Sequence, residues 1–228
     1  KARGIAVCNL PGTNSRAVAE MALLLMLACL RRLPQFDAGL RAGRWGAAPE
    51  VQDRLGELGG RTVGLVGFGA VPQVLAPVLA ALGCRVIYTA RSPRDVPYEF
   101  HDLNGLLAEA DVVSLHVPQT VETAGMIDAA ALGRMKPGAV LVNTARGGLV
   151  DEAALHAALV SGRLSAAGLD VFAEEPTPAG NPLLSLEAVV VAPHVAWVTG
   201  GTFERSFDVA AESVRRLAAG EELLNRVA

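Results

Sequence analysis

The run "RTVGLVGFGAVPQVLAPVLAALGCRVIYTAR" at residues 61–91 reads as a short apolar strand, a glycine-rich turn, a helix and a second strand. Few folds accept such a unit. Strands joined through a helix run parallel, and a parallel sheet needs cover on both faces. The alternation continues downstream. Strand-like segments fall at Thr62–Val66, Arg85–Thr89, Asp111–His116, Ala139–Asn143, Ala166–Leu169 and Val189–Val191. Helical segments fall between them at Val74–Leu82, Leu103–Glu109 and Glu152–Val160, and Thr202–Ala219 is a closing helix. The expected class is α/β, a Rossmann-type doubly wound parallel sheet.

Upstream of the unit, Gly4–Asn9 reads as a strand that stops at Pro11-Gly12. Ser15 is a candidate cap for a strongly apolar helix over Ala17–Arg32, which ends before Pro34. Phe36–Trp45 suggests a shorter helix, and Val51–Gly60 a surface stretch. The ten apolar residues Met21–Leu30 are too few to span a bilayer, so that helix is expected to be buried or to face a second subunit. With 51% hydrophobic residues in 228, a substantial core and one or two domains are expected. Twenty basic against 23 acidic residues, with no dense basic block, argue against a nucleic-acid partner. Cys8, Cys29 and Cys84 show neither disulfide pairing nor metal-ligand spacing, which fits buried thiols in a reducing cytoplasm. The opening "KARGIAVCN" has no Met, shows no signal-peptide pattern and reads as already inside a fold, so a preceding piece is expected.

Gly67-Phe68-Gly69 closes the first strand of the alternation. The first glycine permits a tight turn and the second lets a pyrophosphate approach the backbone. The helix start that follows, with Ala70 and Val71, offers free N–H groups to phosphate. The third glycine of the dinucleotide fingerprint is replaced by Pro72, which a helix tolerates in its first turn. Pro77 is harder to place, since a mid-helix proline costs about 3 kcal/mol and kinks the helix. A lone G-x-G also fits an ordinary strand-to-helix turn, but the whole unit points to dinucleotide binding. At the end of the second strand, "VIYTARSPR" puts Ala90 where an NAD site usually carries an acidic residue. Arg91 and Arg94, with Ser92 between them, could pair with a 2′-phosphate or form a solvated turn. NADP(H) is the expected cofactor, with NAD second.

Three charged residues lie downstream: Arg146 in "VNTARGG", Glu175 in "DVFAEEP" and His194 in "APHVAW". An arginine, a carboxylate and a histidine after such a unit suggest chemistry on a small anionic substrate beside a dinucleotide.

The runs "RGIAVCNLPGTNSRAVAE", "VGLVGFGA", "DVVSLHVPQTVETAGMID", "MKPGAVLVNTARGGLVDEAAL", "GLDVFAEEP" and "VAPHVA" resemble, in order, those of the D-isomer-specific 2-hydroxyacid dehydrogenases. The "YTAR" strand end is similar to that of the family's NADPH-using glyoxylate and hydroxypyruvate reductases. The resemblance implies hydride transfer between a nicotinamide cofactor and a small 2-keto or 2-hydroxy acid. It implies that Arg146 grips the substrate carboxylate and carbonyl, that His194 donates the proton, and that Glu175 orients the imidazole. It further implies that Asp170 meets the nicotinamide carboxamide, that Thr144 and Ala145 line the same crevice, and that His116, Val117 and Pro118 pass near the adenosine. His116 also fits a structural strand-end residue, and His101 and His156 read as surface residues. On the family pattern, residues 14–196 form the dinucleotide domain. Residues 1–13 and 197–228 are then remnants of a flavodoxin-like substrate domain, most of which is expected to precede this chain. Homodimers through the Ala17–Arg32 helix are expected, and no membrane partner. The alternatives are a non-catalytic NAD(P)-sensing regulator and an inactive fragment of the dehydrogenase.

Overall fold

Central strands that are apolar on both sides force a two-faced sheet, and the computed structural model, which describes residues 5–46 and 55–228, has one. Its seven strands are all parallel, in the order β3-β2-β1-β4-β5-β6-β7. They are β1 (Thr62–Val66), β2 (Arg85–Thr89), β3 (Glu99–Phe100), β4 (Val112–Leu115), β5 (Ala139–Asn143), β6 (Leu164–Leu169) and β7 (Val189–Val191). The helices are α1 (Ser15–Arg31), α2 (Leu33–Arg41), α3 (Ala70–Ala81), α4 (Leu103–Glu109), α5 (Ala129–Arg134), α6 (Glu152–Val160) and α7 (Gly200–Ala219). This is the doubly wound Rossmann arrangement.

The period-two alternation of strand side chains builds two separate cores. Val63, Leu65, Val140 and Val142 point to one face, where Leu25 and Met26 of α1 and Leu75 and Leu79 of α3 cover them. Val113, Leu115 and Leu141 point to the other, under Leu106 of α4, Leu132 of α5 and Leu155 of α6. The strand order reverses between β1 and β4, so the loops after these two strands diverge and leave a crevice at the carboxyl end of the sheet.

Several local expectations need correction. Ser15 is not a cap: Asn14 occupies that position without a side-chain bond, and Ser15 is buried in the first turn. The second helix runs over Leu33–Arg41 rather than Phe36–Trp45, because Pro34 fits its first turn and Arg32 turns the chain with a left-handed φ of 49°. Helix α3 begins four residues earlier than expected, directly after Gly69. Pro77 lies inside α3 on its solvent face, so the helix continues through it. Residues 5–9 form no strand; Cys8 makes a single antiparallel bridge to Arg226, since only the C-terminal tail lies beside it. Gly4 and residues 51–54 fall outside the described residues. Cys29 and Cys84 are buried, but Cys8 is only half-buried. His101 and His156 are also half-buried rather than exposed, His101 lying within 3.6 Å of Glu99 and 3.5 Å of Glu109. No helix among the described residues is long and apolar enough to cross a membrane.

Candidate active site

Parallel strands deliver their carboxyl ends to one edge, and β5, β6 and β7 are neighbours. Arg146 follows the end of β5, Glu175 the end of β6 and His194 the end of β7. The sheet therefore gathers residues that are far apart in sequence.

His194 Nδ1 lies 2.6 Å from Glu175 Oε2, and Glu175 Oε1 accepts the Phe172 N–H at 3.0 Å. Burial alone would raise the Glu175 carboxyl. The His194 bond, the Phe172 N–H and the nearby positive Arg146 outweigh it and hold the group below the usual carboxylate range. An ionised carboxylate only accepts, so Nδ1 must carry the hydrogen. That leaves Nε2 as the ring nitrogen free for other work. Arg146 is exposed, with its Nη1 donating to Ala145 O at 2.6 Å.

A backbone clamp holds these side chains in place. Asn143, 1% exposed at the end of β5, donates from Nδ2 to Arg146 O at 2.9 Å and accepts the Ala145 N–H on Oδ1 at 3.0 Å. Its own carbonyl accepts the Asp170 N–H at 3.0 Å. Asp170, fully buried, accepts the Val195 and Ala196 N–H groups on its two carboxylate oxygens, each at 2.9 Å. Its carbonyl accepts the His194 N–H at 2.7 Å. This cradle fixes His194 at a left-handed φ of 55°. Gly147 lets the Arg146 turn press on the next loop: a Cβ there would stand 1.8 Å from Phe172 C.

A crevice of about 290 Å³ runs from the glycine turn to Arg146, between Gly69, Ala70 and Val71 on one side and Thr144 and Ala145 on the other. His116, Val117 and Pro118 line it, as do Asn14 and Ser15 at the start of α1. The structure thus brings together most of the residues expected at a cofactor site. Asp170 is the exception in kind, because its carboxylate is already engaged by backbone N–H groups. Ala90, Arg91, Ser92 and Arg94 stand apart, on the turn after β2. Arg91 and Arg94 are exposed, with no ion pair among the described residues.

The crevice has features that a dinucleotide fits. Helices α4, α5, α6 and α7 are capped by Asp102, Asp128, Asp151 and Thr199, but α3 begins after Gly69 with no side-chain cap, leaving its first N–H groups for an anion. Gly67 has φ 98°, and a Cβ there would lie 2.8 Å from His116 O, so only glycine lets the two loops approach. The buried Thr144 Oγ1 and His116 Nε2 lack partners among the described residues. Although His116 as a whole is half-buried, its ring is enclosed enough for burial to push its pKa down to about 4. A second cavity, of about 710 Å³, is lined by Phe172, Leu184 and Val191 and shares Glu175 and His194 with the site.

Sequence reasoning does not single out Asn143 or the start of α1. A polar residue closing the apolar run "AVLVN" is the available signal for the first. The run "TNS" after the Pro11-Gly12 break suggests only a cap.

Comparison with known proteins supplies the context. The family model described as the NAD binding domain of D-isomer specific 2-hydroxyacid dehydrogenases matches residues 23–196. A D-3-phosphoglycerate dehydrogenase of Mycobacterium tuberculosis (strain ATCC 25618 / H37Rv) is 45% identical over 227 residues, covering 96% of this chain and 42% of that protein. A hydroxypyruvate reductase of Thermotoga maritima is 41% identical over 232 residues, covering 100% of this chain and 70% of the relative. Among solved structures, the TT0316 protein from Thermus thermophilus aligns with a TM-score of 0.93 at 45% identity, covering 100% of this chain and 73% of that one. The acyclic imino acid reductase Bsp5, solved with NADPH and D-Arg, aligns at 0.90 and 32% identity, covering 100% of this chain and 72% of that one. The chain thus spans under half the length of the mycobacterial relative.

Proposed function

Since the chain belongs to the D-isomer-specific 2-hydroxyacid dehydrogenase family, we propose that it forms the cofactor-binding part of an oxidoreductase. The enzyme moves a hydride between NADP(H) and a small 2-keto or 2-hydroxy acid of the glyoxylate or hydroxypyruvate kind. The observation that carries this reading is the 2.6 Å Glu175–His194 pair, near enough for the charge of Arg146 to act on Glu175, with Arg146 at the end of the crevice that begins at the glycine turn.

The nicotinamide cofactor supplies or accepts the hydride. The chain's own residues do the rest. Arg146 presents a planar guanidinium fork to the substrate carboxylate, which a lysine could not match in two-point contact. Glu175 holds the His194 ring by Nδ1, which leaves Nε2 to pass a proton to the 2-keto oxygen. The free N–H groups at the start of α3 and the Gly67–Gly69 backbone take the diphosphate. Ala90 removes a repelling carboxylate, and Arg91 and Arg94 take the 2′-phosphate. Asp170 serves mainly to hold the His194 turn, with Thr144 and Ala145 facing the nicotinamide side.

The functional unit is a homodimer through α1, whose Leu24 and Leu27 are 53% and 37% exposed. Residues 14–196 are the cofactor domain. Residues 1–13 and 197–228 belong to a second lobe; the bonds from Val7 N to Ala228 O at 3.0 Å and from Asn9 N to Asn225 O at 3.1 Å join those two segments. The protein works in a reducing cytoplasm, where the buried Cys29, its thiol pushed up to about 12 by burial, stays inert.

The test is NADPH oxidation with glyoxylate and hydroxypyruvate by the protein from its native source. His194→Ala should lower turnover by about 10²–10⁴-fold with little change in cofactor binding. Turnover unaffected by that change rejects the catalytic reading. Tighter binding of NADH than of NADPH, by fluorescence titration, rejects the cofactor preference.

A further inference from the structure

The turn that carries Arg91 and Arg94 is anchored from below. Tyr88, on β2, is 1% exposed, yet its hydroxyl makes two bonds to the backbone of one residue in that turn. It accepts the Arg94 N–H at 2.7 Å and donates to Arg94 O at 3.2 Å. The Val96 N–H also donates to Arg94 O, at 3.0 Å. Arg94 is thereby tied on both sides of its peptide units while its side chain stays in solvent.

The same ring reaches the diphosphate turn. Phe68, the residue between Gly67 and Gly69, packs on Tyr88 with ring centroids 4.5 Å apart, and Phe100 meets Tyr88 edge-on at 5.6 Å. Tyr98 closes the group against Phe68 at 5.8 Å. The Gly67 N–H donates to Thr89 O at 2.9 Å, one residue beyond Tyr88. One aromatic cluster, with Phe68 and Tyr88 buried at its centre, therefore supports both the glycine turn and the arginine turn.

We infer that Tyr88 is a specificity-determining positioning residue, whose hydroxyl holds the 90–94 turn in the shape that presents Arg91 and Arg94 to a 2′-phosphate. The inference deepens the cofactor reading above and rests on it. The physical reason is preorganisation. Two long arginine side chains on a loose turn must be ordered, together with their backbone, when the phosphate arrives. On a fixed turn, only the side chains lose freedom. A ligand without the 2′-phosphate leans on the glycine turn and gains nothing from this order. Tyr88 thus acts on discrimination rather than on binding in general, and it does so without touching the ligand.

The experiment uses this chain and the probes NADPH and NADH. Tyr88→Phe keeps the ring and its stacking and deletes only the hydroxyl. NADPH should bind about fivefold to tenfold more weakly, and NADH within about twofold of the parent, since both Tyr88 hydroxyl bonds to Arg94 are lost and only part of that loss is felt as disorder the 2′-phosphate must overcome. Equal weakening of both cofactors, or an unchanged ratio, overturns the inference. Amide hydrogen exchange on the unmutated, cofactor-free protein gives a second measurement, independent of whether the variant folds. The Arg94 amide should be protected; exchange at the rate of a free amide overturns the proposal. The two readings fail separately. The parent's NADPH-to-NADH affinity ratio tests the cofactor preference, and the change in that ratio on Tyr88→Phe tests the role of Tyr88.

Discussion

Replacing Gly147 with alanine should be among the most damaging single-methyl changes available in this chain. Its backbone conformation is open to any residue, so the effect is purely one of space. The added Cβ would lie 1.8 Å from Phe172 C, 1.9 Å from Phe172 O and 2.4 Å from Ala173 N, whereas ordinary contact begins at 3.4 Å. The clashing atoms are backbone, so no rotamer change relieves them. The Arg146 turn and the loop carrying Glu175 must part by about 1.5 Å, and overpacking of this kind costs about 3 kcal/mol, the upper end of the common range. A displacement of about 1 Å between catalytic groups costs about 10²-fold in rate. Two glycines serve as controls. At Gly148 the new methyl meets only the end of the Gln119 side chain, which can swing away. At Gly133, inside α5, it meets nothing within 4 Å, so Gly133→Ala should add about 0.5–1 kcal/mol through helix propensity. Urea unfolding of the three variants ranks the effects, and turnover with NADPH reads the geometry. A Gly147→Ala protein within about 0.5 kcal/mol of the parent would refute the argument, because that is the range of a neutral surface change.

Three further outcomes can be checked. His116 is held neutral by burial, with its pKa pushed down from 6.5 to about 4, so the unfolded chain binds the extra proton between those values. Stability should therefore be full above pH 6.5 and fall by up to about 3 kcal/mol as pH drops to 4. In urea unfolding at a series of pH values His116→Asn should show a shallower slope, and an identical slope would contradict the assignment. Asn143→Ala strands Arg146 O and the Ala145 N–H, and should cost about 1–3 kcal/mol in urea unfolding. Its turnover should fall further than cofactor binding does, and a variant with parental stability and rate would show that the clamp is dispensable. Leu24→Glu combined with Leu27→Glu should convert dimers to monomers by light scattering. A parent that is already monomeric at micromolar concentration rejects the interface.

What the sequence makes legible follows from where one element decides its own structure. The bounds of β5 and α4 are readable to the residue, because β5 is an unbroken apolar run closed by Asn143 and α4 lies between Asp102, which caps it, and the Ala110-Asp111 break before the next strand. Strand β3 is not, since Glu99 and Phe100 are exposed and exist as a strand only by pairing with Ile87 and Tyr88. Helix α5, "AAALGR", has no apolar period long enough to register, although Asp128 before it is a legible cap. At the candidate site, Arg146, Glu175 and His194 stand out as charges in otherwise apolar motifs. The clamp between Asn143 and Asp170 is hidden: 27 positions separate them in sequence, and only the adjacency of β5 and β6 lets one peptide unit bond to the other. Tyr88 is hidden differently, because in an apolar strand its hydroxyl reads as incidental.

The strand order has a consequence for anyone who alters this protein. The arginine turn follows β2, and the Arg146 turn follows β5, with β1 and β4 between them. Three inter-strand spacings of about 4.8 Å put the two strands about 14 Å apart, beyond the range at which substitutions usually couple. Changes at residues 90–94 that retune the cofactor and changes beside Arg146 that retune the substrate should then combine as independent factors. Each could be optimised alone and joined afterwards, with the product of the two effects as the benchmark. A shortfall from that product would mean that the two turns are coupled, through the sheet between them or through a bound dinucleotide that reaches both.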